Sequence, residues 1–250
     1  MPTPTQPLPS PPTNLLRDSV LFLDFDGTLV ELAPTPDAVR VDDRLVRLLS
    51  LLSQRLDGRI AIVSGRPVAA IREFLPIGLA AVGSHGMEFG APDGAIEVSA
   101  RPEALAEIVA AMEDLSTRTP GTMVEDKPLG AVLHYRLAPE AEAACMELAT
   151  TLADEHGLHL QPGKMMVEVR APGGDKGSAI ERLMREPELR DARPIFMGDD
   201  LTDEPGFAAA ARLGGAGILV GAERPSSARY RLASVQDTLS WLEAAAAELA

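Results

Sequence analysis

Apolar and polar positions along the chain fall into two rhythms. Val20-Leu21-Phe22-Leu23 is continuously apolar, the pattern of a strand buried on both faces of a parallel sheet, and it runs into Asp24-Phe25-Asp26-Gly27-Thr28. Leu45, Val46, Leu48, Leu49, Leu52 and Leu56 then recur at helical spacing, behind a capping Asp42 and ahead of Gly58. Residues 59–63 form a second apolar run closed by Ser64-Gly65-Arg66-Pro67, where Pro67 suits the first turn of another helix. Residues 79–82 repeat the strand and end in Gly83-Ser84-His85-Gly86. From about residue 91 the rhythm changes. Strand-like pieces at 95–99, 122–125, 131–136, 158–161 and 165–170 are interrupted by helical patterns over 102–118 and 139–156, with hairpin signals at Pro162-Gly163 and near Gly130. After residue 171 the first rhythm returns: a helix over 176–185, a strand over 194–197, a helix over 203–213, a strand over 217–220 and a last helix around Trp241. Alternation of strand and helix predicts an α/β fold with a doubly wound parallel sheet over 14–90 and 171–250, interrupted by a smaller α+β insert over 91–170.

Composition narrows the class. With 46% hydrophobic and 24% charged residues in 250, the chain is globular, and no apolar run approaches the length that spans a bilayer, so no membrane partner is expected. The first thirteen residues hold six prolines, without the basic start and apolar centre of a secretory signal, and are read as a disordered tail. A formal charge of -14 opposes a nucleic-acid surface, which needs clustered Lys and Arg. The single Cys145 cannot close an internal disulfide and lies in an Ala-rich helical pattern, which fits core packing and a reducing cytoplasm. A monomer is the expected state.

Candidate chemistry collects where strands end, because open parallel sheets bind ligands beyond the carboxyl ends of their strands. Side chains alternate along a strand, so Asp24 and Asp26 are expected on one side and Phe25 on the other. The neighbouring ends offer Ser64 and the run Gly198-Asp199-Asp200-Leu201-Thr202-Asp203-Glu204, and Lys176 opens the helix after the insert. Carboxylates gathered this way repel one another unless a cation sits among them. An oxygen-only donor set suits Mg²⁺, held by a few carboxylates together with substrate phosphate. Other site types fit poorly. Asp175-Lys176-Gly177 reverses the Gly-Lys order of a P-loop, Gly83-Ser84-His85-Gly86 is not the nucleophile elbow of a serine hydrolase, and Gly157 breaks the helix between His156 and His159.

In this order, Asp24-Phe25-Asp26-Gly27-Thr28, Ser64, Lys176 and Gly198-Asp199-Asp200 resemble the four motifs of the haloacid dehalogenase-like phosphatases. The resemblance extends to the trehalose-6-phosphate phosphatases through Pro34-Thr35-Pro36, Ser64-Gly65-Arg66, Ser84-His85-Gly86, Glu125-Asp126-Lys127, His134-Tyr135-Arg136, Glu168-Val169-Arg170 and the full run from Gly198 to Glu204. It implies a sugar-phosphate substrate, trehalose 6-phosphate, hydrolysed with Mg²⁺ through an aspartyl-phosphate. By it Asp24 is the nucleophile and Asp26 the acid and then the base. Asp24, Asp199 and the backbone carbonyl of Asp26 hold the metal, with Asp200 and Asp203 supporting them, while Ser64, Gly65 and Lys176 bind phosphate. Within the insert, which the resemblance makes a cap, Glu125, Lys127 and Glu168 bind sugar hydroxyls, with Arg136 and with His85 from the core nearby. The alternatives are a phosphatase of the same fold acting on sucrose phosphate or another sugar phosphate, and a metal-binding regulatory module without turnover. Retention of both Asp24 and Asp26 speaks against the latter.

Overall fold

The computed structural model describes residues 7–35 and 38–249. Pro36 and the first six residues of the Pro-rich start lie outside them. Two compact units emerge, one of residues 1–96 with 175–250 and one of residues 97–174.

The larger unit is built on an eight-stranded sheet. In chain order its strands are β1 (Ser19–Leu23), β2 (Ile60–Val63), β3 (Ala80–Gly83), β4 (Glu88–Gly90), β5 (Ile96–Val98), and, after the second unit, β10 (Arg193–Gly198), β11 (Ala216–Val220) and β12 (Tyr230–Leu232). They lie side by side in the order β12-β11-β10-β1-β2-β3-β4-β5, parallel from β12 to β3, with β4 returning antiparallel on β3. The doubly wound sheet expected from the sequence is therefore present. The strand at 96–98, read from sequence as part of the insert, instead joins the edge of this large sheet.

Strand alternation sends side chains to opposite layers. Leu21, Leu23, Ile60, Ile62, Ile195, Met197 and Ile218 pack with residues of α1 (Asp43–Arg55), α2 (Val68–Phe74) and α7 (Val235–Glu248). Val20, Phe22, Ala61, Val63, Phe196 and Leu219 pack instead with α5 (Lys176–Leu183) and α6 (Glu204–Arg212). Helix α1 shows why such segments fold locally. The Asp42 carboxylate accepts the Leu45 N–H at 2.9 Å, and Leu45, Leu48, Leu49 and Leu52 line the buried face. Each fully buried leucine contributes roughly 1.5–3 kcal/mol.

Residues 7–13 are not a disordered tail. The Trp241 indole N–H donates to the Pro11 carbonyl at 2.9 Å, the Arg231 N–H donates to the Pro9 carbonyl at 3.0 Å, and Leu16 just beyond is fully buried. Prolines lack an N–H but keep a carbonyl acceptor, so a Pro-rich segment can still be hydrogen-bonded in place.

The smaller unit has a four-stranded antiparallel sheet, ordered β6-β7-β9-β8, formed by β6 (Met123–Lys127), β7 (Gly130–His134), β8 (His159–Gly163) and β9 (Met166–Arg170). Helices α3 (Leu105–Arg118) and α4 (Glu142–His156) cover one face through Leu105, Ile108, Met112, Cys145, Ala149 and Leu152, against Ala131, Leu133, Val167 and Val169. Cys145 is core, as expected. The β8–β9 turn falls at Lys164–Met165, with Met165 in the left-handed region at φ 61°, while Pro162 and Gly163 belong to the strand. Among the described residues no helix is long and apolar enough to cross a membrane.

Candidate active site

The loop after β1 is shaped by its own backbone. The Asp24 N–H donates to the Met197 carbonyl at 2.9 Å, which fixes the strand end against β10, and the Gly27 N–H donates to the Val30 carbonyl at 2.8 Å. Gly27 lies at φ 80°, and the Asp199 carboxylate occupies the space a Cβ would need, so a residue without a side chain is required there on both counts. The strand ends at Leu23, so its alternation does not carry on to Asp26. Asp24 and Asp26 consequently have different partners.

Asp24 is buried among charged groups. Its Oδ1 accepts from Lys176 Nζ at 2.6 Å, and its Oδ2 accepts from the Thr28 hydroxyl at 3.1 Å. The same ammonium donates to Asp203 Oδ1 at 2.6 Å. Asp203 Oδ2 in turn accepts the backbone N–H groups of Asp199 and Asp200, both at 2.9 Å, and so folds the loop after β10 around itself. Lys176 reaches this point because it is the first residue of α5, whose start is capped by Asp175 and Ser178 in a reciprocal box.

Carboxylate oxygens of Asp24, Asp199 and Asp203 all lie within 4.8 Å of one another. Asp200 is not in this group; its carboxylate accepts the Leu201 N–H at 2.7 Å and caps the following turn. One ammonium cannot neutralise three carboxylates. Burial pushes the Asp24 carboxyl well above its ordinary range, Lys176 pulls it back, and the Asp203 and Asp199 charges raise it again. Burial alone would lower Lys176, but the attraction of Asp203 and Asp24 outweighs it and holds the ammonium above its usual range. Such a surplus of buried negative charge on hard oxygen donors fits a divalent cation, with Asp24 and Asp199 as the side chains placed to hold it and Asp203 already committed to Lys176 and two amides.

Asp26 makes a bidentate pair with Arg66, 2.6 Å from Nε to Oδ2 and 2.8 Å from Nη2 to Oδ1. The Arg66 guanidinium also stands 4.9 Å from the centre of the Phe74 ring and 5.6 Å from that of Phe25. Ser64, at the end of β2, is buried; its hydroxyl accepts the Arg66 N–H at 3.1 Å and its carbonyl accepts the His85 N–H at 3.1 Å. A Cβ on Gly65 would lie 2.5 Å from the His85 ring, so glycine there lets His85 pack onto the Ser64 loop. Buried Glu88 ties the two loops together, accepting the Val68 N–H at 2.9 Å and the Ser84 hydroxyl at 2.5 Å.

On the smaller unit, Glu125, Val132 and Glu168 are register partners across β6, β7 and β9, so their side chains share the sheet face opposite α3 and α4. Lys127 Nζ is 3.4 Å from Glu168 Oε1, and His134 Nε2 is 2.9 Å from Glu125 Oε2. Arg136 stands apart from this row beyond the end of β7, donating to the Lys164 carbonyl at 3.2 Å. The sequence alone gave no role to Arg66, although it stood beside Ser64 and Gly65 in a motif at the end of the strand next to β1.

A mostly parallel sheet that gathers an Asp-Phe-Asp-Gly-Thr loop, a buried lysine and a Gly-Asp-Asp loop around one acidic centre defines a hydrolase of the haloacid dehalogenase-like class. Within that class the chain belongs to the trehalose-phosphatase family, whose model matches residues 22–236. It is thus a phosphatase, a phosphoric monoester hydrolase of sugar phosphates. It is 38% identical over 242 residues to the trehalose-6-phosphate phosphatase of Escherichia coli K12, covering 96% of this chain and 90% of that one. It is 37% identical over 215 residues to a probable trehalose-phosphate phosphatase of Sinorhizobium fredii, covering 85% and 81%. Its structure matches the C-terminal domain of the C. albicans trehalose-6-phosphate phosphatase with a TM-score of 0.84 at 25% identity, over 96% of this chain and 98% of the other.

Proposed function

We propose that the chain hydrolyses trehalose 6-phosphate to trehalose and inorganic phosphate, and that the phosphoryl group passes through Asp24. The observation that carries the reaction is the buried Asp24 carboxylate held at 2.6 Å by Lys176, which fixes one oxygen while the side chain faces two further carboxylates. The Asp24 oxygen attacks phosphorus and forms the aspartyl-phosphate as the bond to the sugar oxygen breaks. Asp26, parted from Arg66 and carrying a proton taken up from solvent, gives that proton to the departing oxygen, then takes one from the water that attacks the intermediate and frees Asp24. Ser64 and the Gly65 amide donate to phosphoryl oxygens, and Lys176 offsets their charge. Asp24, Asp199 and the backbone carbonyl of Asp26 would hold Mg²⁺, which would supply further positive charge to those oxygens.

Sugar choice rests on Glu125, Lys127 and Glu168, with Arg136 and His85, and the unit of residues 97–174 serves as the cap that carries most of them. Support comes from the shared sheet face of Glu125 and Glu168 and from the names of the relatives. Phosphate release from trehalose 6-phosphate, sucrose 6-phosphate and glucose 6-phosphate tests this reading. The expected result is a kcat/KM for trehalose 6-phosphate about tenfold or more above the others, the scale of one lost charged hydrogen bond. Faster turnover of sucrose 6-phosphate would assign the chain to the other substrate.

A further inference from the structure

Outside every motif considered so far, the segment after β11 reaches back to the loop that presents Asp199. Arg224 donates from Nη2 to the Asp200 backbone carbonyl at 2.7 Å, and its Nη1 pairs with the Glu204 carboxylate. Glu204 is the first residue of α6 and gathers further donors. It accepts the Ser226 hydroxyl at 2.8 Å and the Ser227 N–H at 2.7 Å, and Ser226 accepts the Ala228 N–H at 3.0 Å. Both side chains are mostly buried, with 21% of Arg224 and 24% of Glu204 exposed. The Asp199–Glu204 loop is thus gripped from two sides. Asp203 holds the amides of Asp199 and Asp200 from within, and Arg224 holds the Asp200 carbonyl from without.

We propose that Arg224, braced by Glu204, is a positioning residue for the divalent-cation site: it fixes the Asp200 carbonyl, one residue beyond Asp199, and through that short loop sets how well the Asp199 carboxylate is presented. A planar guanidinium suits this work, because its fork bonds a carbonyl and a carboxylate together, which a lysine ammonium cannot match in geometry. Groups bonded directly to metal ligands typically change metal affinity by about 10–100-fold when removed, and Arg224, which acts one residue further along the loop, is expected at the lower end of that range.

The inference rests on the reading of Asp24 and Asp199 as cation ligands, so the test includes a variant that addresses that reading separately. Calorimetric titration of substrate-free protein with Mn²⁺, alongside the Mg²⁺ concentration that gives half-maximal phosphate release, is measured for wild type, Arg224→Ala, Arg224→Lys and Asp199→Asn. The expected result is binding weakened about tenfold in Arg224→Ala, partly recovered in Arg224→Lys, and lost in Asp199→Asn. The Mg²⁺ requirement should rise more than kcat at saturating Mg²⁺ falls, a split that general loosening of the fold does not produce. If Arg224→Ala does not fold, Arg224→Lys alone decides, with binding weaker than wild type expected. Wild-type Mn²⁺ affinity in the folded Arg224 variants, with binding lost in Asp199→Asn, would overturn the positioning role alone. Undiminished binding in Asp199→Asn would overturn the cation site itself.

Discussion

At Lys176 a single ammonium stands 2.6 Å from both Asp24 and Asp203, and all three side chains are buried. Removing one member of a buried ionic group leaves charge without compensation and typically costs about 3–5 kcal/mol. Lys176→Met, which keeps the length but not the charge, should therefore lower the thermal midpoint of the metal-free protein sharply and abolish turnover, and added Mg²⁺ should restore part of the midpoint. A midpoint equal to wild type would mean the ammonium is not what holds the carboxylates together. Asp24, Lys176, Asp199 and Asp203 were all legible as candidates because each sits at the end of an apolar run or the start of a helix. Arg66 and Arg224 were not assigned, since each acts on a residue brought near only by folding, 40 positions away for Asp26 and 24 for Asp200.

Elements of the smaller unit carry the titration that stability should report. Burial on β6 raises the Glu125 carboxyl, but the bond with His134 and the Lys127 charge outweigh it, and the net position is below its ordinary value of 4.5. A carboxyl depressed by folding stabilises the folded state above that ordinary value, and the contribution disappears as pH falls through the folded one. The thermal-midpoint gap between wild type and Glu125→Gln should accordingly be present at neutral pH and shrink below 4.5. A gap independent of pH would show that ionised Glu125 adds nothing. Most elements could be read from hydrophobic spacing because each has a face to bury, as α1 does through its leucines. The turn dipeptides marked both hairpins but not every turn: β6 and β7 meet at residues 128–129 beside Gly130, whereas Pro162-Gly163 pairs within β8 and the β8–β9 turn comes directly after it. The Pro-rich start misled, since composition does not reveal that Trp241 has a buried indole N–H to satisfy.

Across the whole molecule Asp24 and its neighbours lie in one unit and Glu125, Lys127 and Glu168 in the other, and the proposed function divides chemistry from choice of sugar along that line. If that division holds, Glu125→Ala should raise KM for trehalose 6-phosphate about tenfold or more, as expected for a lost charged hydrogen bond, while leaving p-nitrophenyl phosphate nearly unaffected. Equal effects on both substrates would show that this residue does not read the sugar. Hydrolysis of trehalose 6-phosphate through Asp24 is checked by measuring the phosphate and trehalose released by purified wild type and Asp24→Asn in the presence of Mg²⁺. Equimolar products are expected from wild type, and a rate lower by more than about a thousandfold from a folded Asp24→Asn. No release by wild type, or comparable release by the variant, would contradict hydrolysis through Asp24.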